Sequence, residues 1–290
     1  MKIYVVIGPT ASGKTGYALS LAKRIGGEII SGDSMQIYRG MDIGTAKPTA
    51  EQQKAVPHHL IDIADISEPF SAARYVGLAR DAAEDISSRG KIPVVVGGTG
   101  MYIDMLVSGT VLPETQTDPE YRRGLYEFAK ENGAGALHAM LAEKDPQAAA
   151  AIHPNNIKRV VRALEINRET GMSKSGYEAL GASAGNVYEP YTVMLMPGSR
   201  ARLYERIEAR VDEMFSAGLE EEVRSLCAKG LREAPTASQA IGYKEFYPYF
   251  DGEITLEQVS ETIKRNTRRY AKRQLTWFSR VKIDEITEAL

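Results

Sequence analysis

The sequence predicts an α/β protein, in which a parallel β-sheet is flanked by helices and carries a helical insertion domain. Two observations support this fold class: short β-branched runs alternate with stretches of helical spacing, and a long helical stretch separates the fourth run from the fifth. Alternation of this kind is typical of parallel sheets covered by helices. The 290 residues, 43% hydrophobic and 26% charged, suffice for such a core.

The predicted strands share β-branched residues and end in glycine or polar residues; they are Ile3–Ile7, Glu28–Ser31, Leu60–Ile63, Ile92–Val96 and Tyr191–Met196. After the first strand, apolar residues recur at three- and four-residue intervals, at Ala18, Leu21, Ala22 and Ile25. This spacing predicts a helix that packs one apolar stripe on the sheet and stops at Gly26-Gly27.

The segment between the last two strands predicts a separate helical domain, because it is too long for a connection within one compact sheet. We expect the insertion at residues 114–185, with helices over Tyr121–Lys130 and Ala134–Leu141, and the core at residues 1–113 and 186–290. Glycines at four-residue or five-residue spacing predict an irregular return to the core, at Gly171, Gly176, Gly181 and Gly185. From Arg202 the chain looks helical almost to its end, with breaks near Gly230–Pro235 and Gly252.

Composition excludes several classes of protein. The apolar run at the N-terminus is too short for a signal-peptide core or a membrane span, so we expect a cytoplasmic protein with no membrane partner. The single cysteine, Cys227, excludes an internal disulfide and disfavours a zinc site. The scattered histidines are expected to be solvated or capping residues: His58, His59, His138 and His153.

A phosphate-binding loop follows the first strand. Its residues match G-x-x-x-x-G-K-[ST] between a strand and an amphipathic helix: Gly8, Pro9, Thr10, Ala11, Ser12, Gly13, Lys14 and Thr15. Backbone amides, the helix N-terminus and Lys14 would hold a phosphate or diphosphate, and Thr15 is placed to ligate Mg²⁺. The motif predicts a P-loop NTPase-like core.

The turn after Ile92–Val96 departs from a nucleoside triphosphatase. Such an enzyme usually has an acidic Mg²⁺ ligand where this chain has Gly97-Gly98-Thr99-Gly100. The departure favours a diphosphate held as a leaving group. The second strand delivers Asp33 to the same sheet edge, where it either acts on a ligand or caps the following turn.

Nine blocks along nearly the whole chain resemble the tRNA dimethylallyltransferase family. They are GPTASGKT, Asp33–Thr49 (DSMQIYRGMDIGTAKPT), Val56–Asp62, Phe70–Tyr75, Val94–Ile103, His153–Ile166, Arg206–Met214, Gln239–Glu245 and Lys272–Phe278. The block DSMQIYRGMDIGTAKP is long enough to be distinctive, whereas the phosphate loop alone is not.

The resemblance implies dimethylallyl diphosphate as the donor, Mg²⁺ as the cofactor and tRNA as the partner of a monomeric enzyme. The acceptor would be N6 of adenosine 37, beside the anticodon, in tRNAs that read codons beginning with U. Asp33 matches the family's general base, and Thr99 matches a threonine beside the donor's bridging oxygen, although it can also serve only the turn. Lys14 and either Arg206 or Arg210 would contact the diphosphate.

Recognition of an RNA loop requires positive charge and flat side chains. The resemblance assigns tRNA contacts to Asp33, Ser34, Met35, Gln36, Thr99, Ile157, Lys158, Arg159, Val160, Val161, Gln239, Ala240, Ile241, Gly242, Tyr243, Lys244, Lys272, Arg273 and Gln274, and to Arg122 or Arg123 in the insertion. The basic C-terminal helix adds Tyr270 and Trp277, which belong either to the RNA surface or to the core.

Three other functions fit part of the sequence. An adenylate isopentenyltransferase needs the same donor site and base but no RNA surface. A small-molecule P-loop kinase would use Asp33 to activate a hydroxyl for phosphoryl transfer. A non-catalytic RNA-binding module would use the loop as a nucleotide sensor. The basic C-terminal helix and the Lys158-Arg159 cluster favour tRNA over the first alternative.

Overall fold

The computed structural model describes residues 1–110, 118–181 and 188–289. The chain forms two compact units: Met1–Val107 with Val187–Leu290, and Ser108–Asn186. The first unit contains the sheet, and the described part of the second is helical. The predicted ends of the insertion, at 113/114 and 185/186, and the predicted break at Gly185 lie outside the described residues.

A six-stranded parallel sheet confirms the predicted fold class. The strand order is β3-β2-β4-β1-β5-β6, where the strands are β1 (Lys2–Ile7), β2 (Gly27–Ser31), β3 (His58–His59), β4 (Ile92–Gly97), β5 (Glu189–Pro197) and β6 (Glu285–Ala289). Because all strands run in one direction, the loops after β1, β2 and β4 meet at a single edge of the sheet.

The helices follow the chain in this order: α1 (Lys14–Ile25), α2 (Ala50–Ala55), α3 (Ala72–Ser88), α4 (Gly100–Val107), α5 (Pro119–Lys144), α6 (Pro146–Ala151), α7 (Ile157–Thr170), α8 (Lys174–Gly181), α9 (Arg200–Ser216), α10 (Leu219–Ala228), α11 (Tyr247–Phe250) and α12 (Leu256–Phe278). Short 3₁₀ turns lie at Leu231–Glu233, Ala237–Gln239 and Lys244–Phe246.

One face of the sheet is covered by α1. The predicted stripe Ala18, Leu21 and Ala22 is buried and packs on apolar residues of β1, β2, β4 and β5, with Ile25 half-buried beside them. A left-handed Gly26 ends the helix and turns the chain into β2. This packing fixes the start of α1, and therefore the phosphate loop, against the sheet edge.

The helical unit has its own core. Asp118 caps α5 by accepting hydrogen bonds from the amides of Glu120 and Tyr121, and Gly133, at φ 87°, interrupts the helix between its two predicted halves. Apolar side chains of α5, α6 and α7 form the core, namely Leu125, Ala129, Leu137, Leu141, Ala148, Ala149, Ile152, Val160, Val161, Ala163 and Leu164.

Three local features differ from the predictions. Leu60–Ile63 is not a strand, because Leu60 and Asp62 have positive φ values of 63° and 55°, which no strand accommodates; the pairing residues are His58 and His59. Gly176 does not break regular structure but lies inside α8, which ends at Gly181. The last helix ends at Phe278, and the sequence did not predict the strand β6 that follows it and pairs with β5.

Among the described residues, no helix has both the length and the apolar character needed to cross a bilayer.

Candidate active site

The phosphate loop has the backbone geometry of an anion cradle. Gly8, Ala11 and Gly13 adopt positive φ values, and a Cβ on Gly8 would lie 2.6 Å from the Leu195 carbonyl oxygen. Gly13 is the N-cap of α1 and offers no side-chain cap, so the first amides of the helix remain available to a ligand. The loop therefore fits the predicted phosphate site.

Lys14 extends along the loop, and its Nζ donates to the Pro9 carbonyl oxygen at 2.7 Å. Burial, followed by the neighbouring Arg210 guanidinium, lowers the pKa of Lys14 to about 7, while Asp33 opposes the shift. Two cations and one carboxylate thus meet where the loop faces the sheet edge. An anionic ligand here would hold Lys14 in its charged form.

Asp33 follows β2, and its carboxylate caps the turn that comes next in the chain. Its Oδ1 accepts hydrogen bonds from the amides of Met35 at 2.8 Å and Gln36 at 3.4 Å. Oδ2 accepts no hydrogen bond from the described residues. The carboxylate therefore caps the turn with one oxygen and has a second oxygen for another partner, so the capping and chemical roles are compatible.

The turns after β2 and β4 are locked together. Gly32 donates its amide to Val96 O at 2.7 Å, and Thr99 donates its amide to Gly32 O at 3.2 Å. The Thr99 hydroxyl accepts from the Ser34 amide at 3.1 Å. A Cβ on Gly97 would lie 2.1 Å from the Gly32 carbonyl oxygen, which explains the glycine at that position. Thr99 is thereby fixed beside the Asp33 turn.

A cavity of about 330 Å³ lies over the phosphate loop, and we name it the phosphate-loop cavity. It is lined by Thr10, Ala11, Ser12, Gly13, Lys14, Thr15, Ala18, Ile29, Ser31, Asp33, Gln36, Thr45, Ala46, Pro48, Gln52, His58, Ile61, Val96, Gly97, Gly98, Arg210, Tyr270 and Gln274. Its lining combines phosphate-binding groups with aliphatic side chains, a combination that suits a prenyl diphosphate.

A second cavity of about 280 Å³ adjoins the first. It is lined by Thr10, Asp33, Ser34, Met35, Gly44, Thr45, Ile207, Arg210, Val211, Met214, Gln239, Ile241, Gly242, Lys244, Ile263, Thr267, Tyr270 and Arg273. The two cavities share Thr10, Asp33, Thr45, Arg210 and Tyr270. Asp33 therefore borders both spaces.

The structure distinguishes the two candidate arginines on α9. Arg210 lines both cavities, whereas Arg206 lines neither. Burial lowers the pKa of Arg210, with Asp33 opposing the shift. Of the two alternatives left open by the sequence, Arg210 is therefore the arginine placed at the phosphate loop, and Arg206 is not.

Two residues of α12 complete the phosphate-loop cavity. The buried Gln274 side chain bonds both to the Thr10 amide and to the Gly98 carbonyl. Tyr270 borders both cavities, and burial, with a smaller contribution from Asp33, raises its pKa to about 12. The sequence pattern predicted a basic RNA-binding face on this helix and gave no signal for Gln274 as a bridge between loops.

Other cavity residues were also missed from the sequence. His58, expected to be solvated or capping, lines the phosphate-loop cavity and bonds through Nδ1 to the Val56 carbonyl oxygen at 2.7 Å. Thr45 borders both cavities but lies in the middle of a long motif with no separate signal. Only proximity in the fold identifies these residues.

Most of the predicted tRNA-contact residues of the first unit fall into four groups. Ser34, Met35, Gln239, Ile241, Gly242, Lys244 and Arg273 line the second cavity, Gln36 and Gln274 line the phosphate-loop cavity, and Lys272 is exposed. Ala240 and Tyr243 are buried. Their side chains are therefore not available for the predicted RNA contact.

In the helical unit, some of the predicted tRNA-contact residues are exposed and others are buried. Lys158 and Arg159 are exposed on α7. Val160 and Val161 belong to the core of the unit, and Ile157 packs against it, so the valine side chains cannot contact RNA. Arg122 makes a two-pronged ion pair with the buried Glu165, at 2.6 Å and 2.8 Å.

Comparison with known proteins decides the family. A family model described as "IPP transferase" matches residues 36–281. This chain belongs to the IPP transferase family. It is 52% identical over 277 residues to a tRNA dimethylallyltransferase of Geobacillus thermodenitrificans, covering 96% of this chain and 87% of the relative. The corresponding protein of Bacillus subtilis is 49% identical over 276 residues, with 95% and 87% covered.

Solved structures of the family share the fold. The crystal structure of the tRNA isopentenylpyrophosphate transferase from Bacillus halodurans has a TM-score of 0.72 at 48% identity, with 99% of this chain and 90% of that chain covered. A eukaryotic dimethylallyltransferase acting on tRNA has a TM-score of 0.80 at 30% identity, with 99% and 74% covered. The resemblance noted in the sequence is confirmed.

Proposed function

We propose that this chain transfers a dimethylallyl group from dimethylallyl diphosphate to N6 of adenosine 37, beside the anticodon, in tRNAs that read codons beginning with U. The observation that carries the proposal is the position of Asp33, which borders both the phosphate-loop cavity and the second cavity. A donor in the first and an adenine in the second would meet at this carboxylate. Membership of the IPP transferase family supports the same chemistry.

The diphosphate would occupy the phosphate loop. The amides at the start of α1, Lys14 and Arg210 present positive charge there, and the Thr99 hydroxyl lies beside the Asp33 turn. As the bond between the allylic carbon and the bridging oxygen breaks, negative charge gathers on the leaving diphosphate. These groups stabilise that charge more strongly than the charge of the intact donor.

The adenine would be held in the second cavity after leaving the anticodon loop, because N6 of a stacked base is not accessible. An adenine amine is a weak nucleophile, since its lone pair is delocalised into the ring. Asp33 accepts one N6 proton as the new bond from N6 to the allylic carbon forms. The products are N6-(dimethylallyl)adenosine and diphosphate, and no phosphoryl group moves.

Mg²⁺ fits the phosphate-loop cavity as a substrate-bound ion. Thr15 lines the cavity, and the described residues hold no cluster of three or more His, Cys, Asp or Glu side chains that could bind a metal by themselves. Mg²⁺ commonly binds through substrate phosphates and few protein ligands. When bound, it would neutralise diphosphate charge, with Thr15 as the protein ligand.

Three exposed or cavity-lining basic residues of the first unit would hold the RNA: Lys244, Lys272 and Arg273. We propose that the helical insertion also contacts tRNA, through Lys158 and Arg159, which are exposed on α7. We further propose a cytoplasmic monomer.

Transfer of radiolabel from dimethylallyl diphosphate tests the function. The donor is supplied with unmodified tRNA in one reaction and with AMP in another. Label in the tRNA alone supports the proposal, and label in AMP would instead identify an adenylate isopentenyltransferase. In a parallel reaction with γ-labelled ATP, transfer of the labelled phosphate to an acceptor would identify a kinase. If no group is transferred in any of the reactions, the non-catalytic RNA-binding module is the remaining alternative.

A further inference from the structure

Glu222, on the first turn of α10, receives an unusual number of hydrogen bonds for a surface-helix carboxylate. Its Oε2 accepts from the amides of Asp42 at 3.0 Å and Ile43 at 2.8 Å. Its Oε1 accepts from the Gly44 amide at 3.2 Å and from the Tyr243 hydroxyl at 2.6 Å. Three successive amides around one carboxylate form an anion-binding concavity occupied by the protein's own side chain.

The two segments joined by Glu222 both line the second cavity. Gly44 and Thr45 belong to one segment, and Gln239, Ile241, Gly242 and Lys244 belong to the other. Tyr243, between them, is fully buried and does not line the cavity. Its hydroxyl instead connects its own segment to the carboxylate that holds the Asp42–Gly44 amides.

The two segments are in close contact. A Cβ on Gly44 would lie 2.5 Å from the Tyr243 ring, so the ring packs directly on the Gly44 backbone. Burial and the adjacent Glu222 carboxylate raise the pKa of Tyr243, so its hydroxyl remains a proton donor. Beyond Gly44, Lys47 continues the same loop with bonds to Tyr38 O, Asp42 and Asp62.

From this geometry, and resting on the proposed function, we infer that Glu222 and Tyr243 are positioning residues that hold together two segments lining the acceptor cavity. They touch neither substrate. They hold Thr45 and the Gln239–Lys244 segment in the register that presents the adenine to Asp33. The donor site depends on the phosphate loop, Gln274 and Arg210, none of which bonds to Glu222.

The test is steady-state prenyl transfer by Glu222→Gln, Tyr243→Phe and the double variant, with tRNA and donor varied separately. The first change turns an NH₂ group toward an amide or hydroxyl donor, and the second removes the hydroxyl. We expect each single variant to raise KM for tRNA about tenfold and to lower kcat, with KM for the donor within about twofold. Because the two residues share one hydrogen bond, the loss of kcat/KM for tRNA in the double variant should be smaller than the product of the losses in the two single variants.

Glu221→Gln, exposed on the same helix, is the matched control and should behave as the wild type. If Glu222→Gln does not fold, the kinetic constants of Tyr243→Phe, which removes only one oxygen atom, are sufficient to test the inference. Unchanged tRNA KM and kcat in Tyr243→Phe, or equal rises in donor and tRNA KM, would overturn the inference. Failure of the wild type to label tRNA would instead overturn the proposed function.

Discussion

The side chain of Gln274 accepts a hydrogen bond from the Thr10 amide at 2.8 Å, although 264 residues separate them in the chain. Its Nε2 donates to the Gly98 carbonyl oxygen at 2.9 Å. One buried amide therefore connects the phosphate loop to the turn after β4. Gly98 is required by this contact, because a Cβ there would lie 2.1 Å from Nε2.

Gln274→Glu tests the bridge with an isosteric change. A carboxylate still accepts from Thr10 but places an oxygen against the Gly98 oxygen. We expect the free energy of unfolding to fall by about 1–3 kcal/mol and donor binding to weaken. Urea unfolding and titration with a non-reactive donor analogue measure the two effects. Thr276→Ala, which loses only a bond to Lys272 O in its own helix, should change neither.

Asp33→Asn separates the two roles of Asp33. The asparagine Oδ1 still accepts from the Met35 amide, so the turn is kept, but the side chain cannot take the N6 proton. We expect kcat to fall by about 10²–10⁴ while tRNA and donor affinities persist. Single-turnover transfer and filter binding measure these quantities. A variant with wild-type kcat would restrict Asp33 to capping.

The pKa of Lys14 predicts proton uptake on donor binding. In the free protein this pKa is lowered to about 7, so Lys14 is mostly neutral at pH 8, whereas a bound diphosphate favours its charged form. Donor affinity should therefore fall by up to about tenfold per pH unit between about pH 7.5 and 9. Calorimetry in buffers of different ionisation enthalpy measures the uptake.

Lys14→Arg provides the control for that pH dependence. Arginine stays protonated throughout this range, so the slope should disappear even if the affinity itself changes. An unchanged slope in the variant would assign the proton to another group, because Lys14 would no longer be there to take it.

Arg122 and Arg123 form a matched pair in the helical unit. Arg122 binds Glu165, whose side chain is 1% exposed, whereas Arg123 is 68% exposed and 3.9 Å from Glu127. Arg122→Gln should lower the free energy of unfolding by about 1–3 kcal/mol, because it weakens the pairing of a buried carboxylate. Arg123→Gln should change it by less than about 0.5 kcal/mol. Equal effects in chemical denaturation would contradict this assignment.

The exposed basic residues should contribute to tRNA affinity through phosphate contacts. Each of Lys272→Gln, Arg273→Gln, Lys158→Gln and Arg159→Gln should reduce the slope of log affinity against log salt concentration by about 1. Lys23→Gln, exposed on α1, should leave the slope unchanged. Filter binding over a series of salt concentrations gives these slopes, and equal slopes for all five variants would exclude the proposed contacts.

The parts of the fold that the sequence predicted are those with a local signal. A glycine-rich motif between a strand and a helix defines the phosphate loop, and the three- and four-residue spacing after it defines the face of α1. The spacing of Val160, Val161 and Leu164 carried the same signal for a buried face. Val160 and Val161 were nevertheless assigned to the RNA surface, because the block that contains them resembles a tRNA-contact segment of the family.

The parts that were missed depend on long-range contacts or on backbone torsions. Nothing local distinguishes Arg206 from Arg210, one turn apart on α9, until the packing of α9 is known. An apolar, β-branched segment gives no indication that Leu60 and Asp62 are left-handed. Glu222 resembles any acidic residue in the first turn of a helix, and only the fold brings Asp42–Gly44 to it.

The bond between Thr10 and Gln274 also affects when the protein becomes competent during its synthesis. Translation completes the phosphate-loop motif long before it reaches Gln274, which lies 264 positions after Thr10. Over that stretch of elongation the nascent chain carries a phosphate loop without its supporting side chain. Ligand capture on the ribosome is therefore expected only after α12 has emerged.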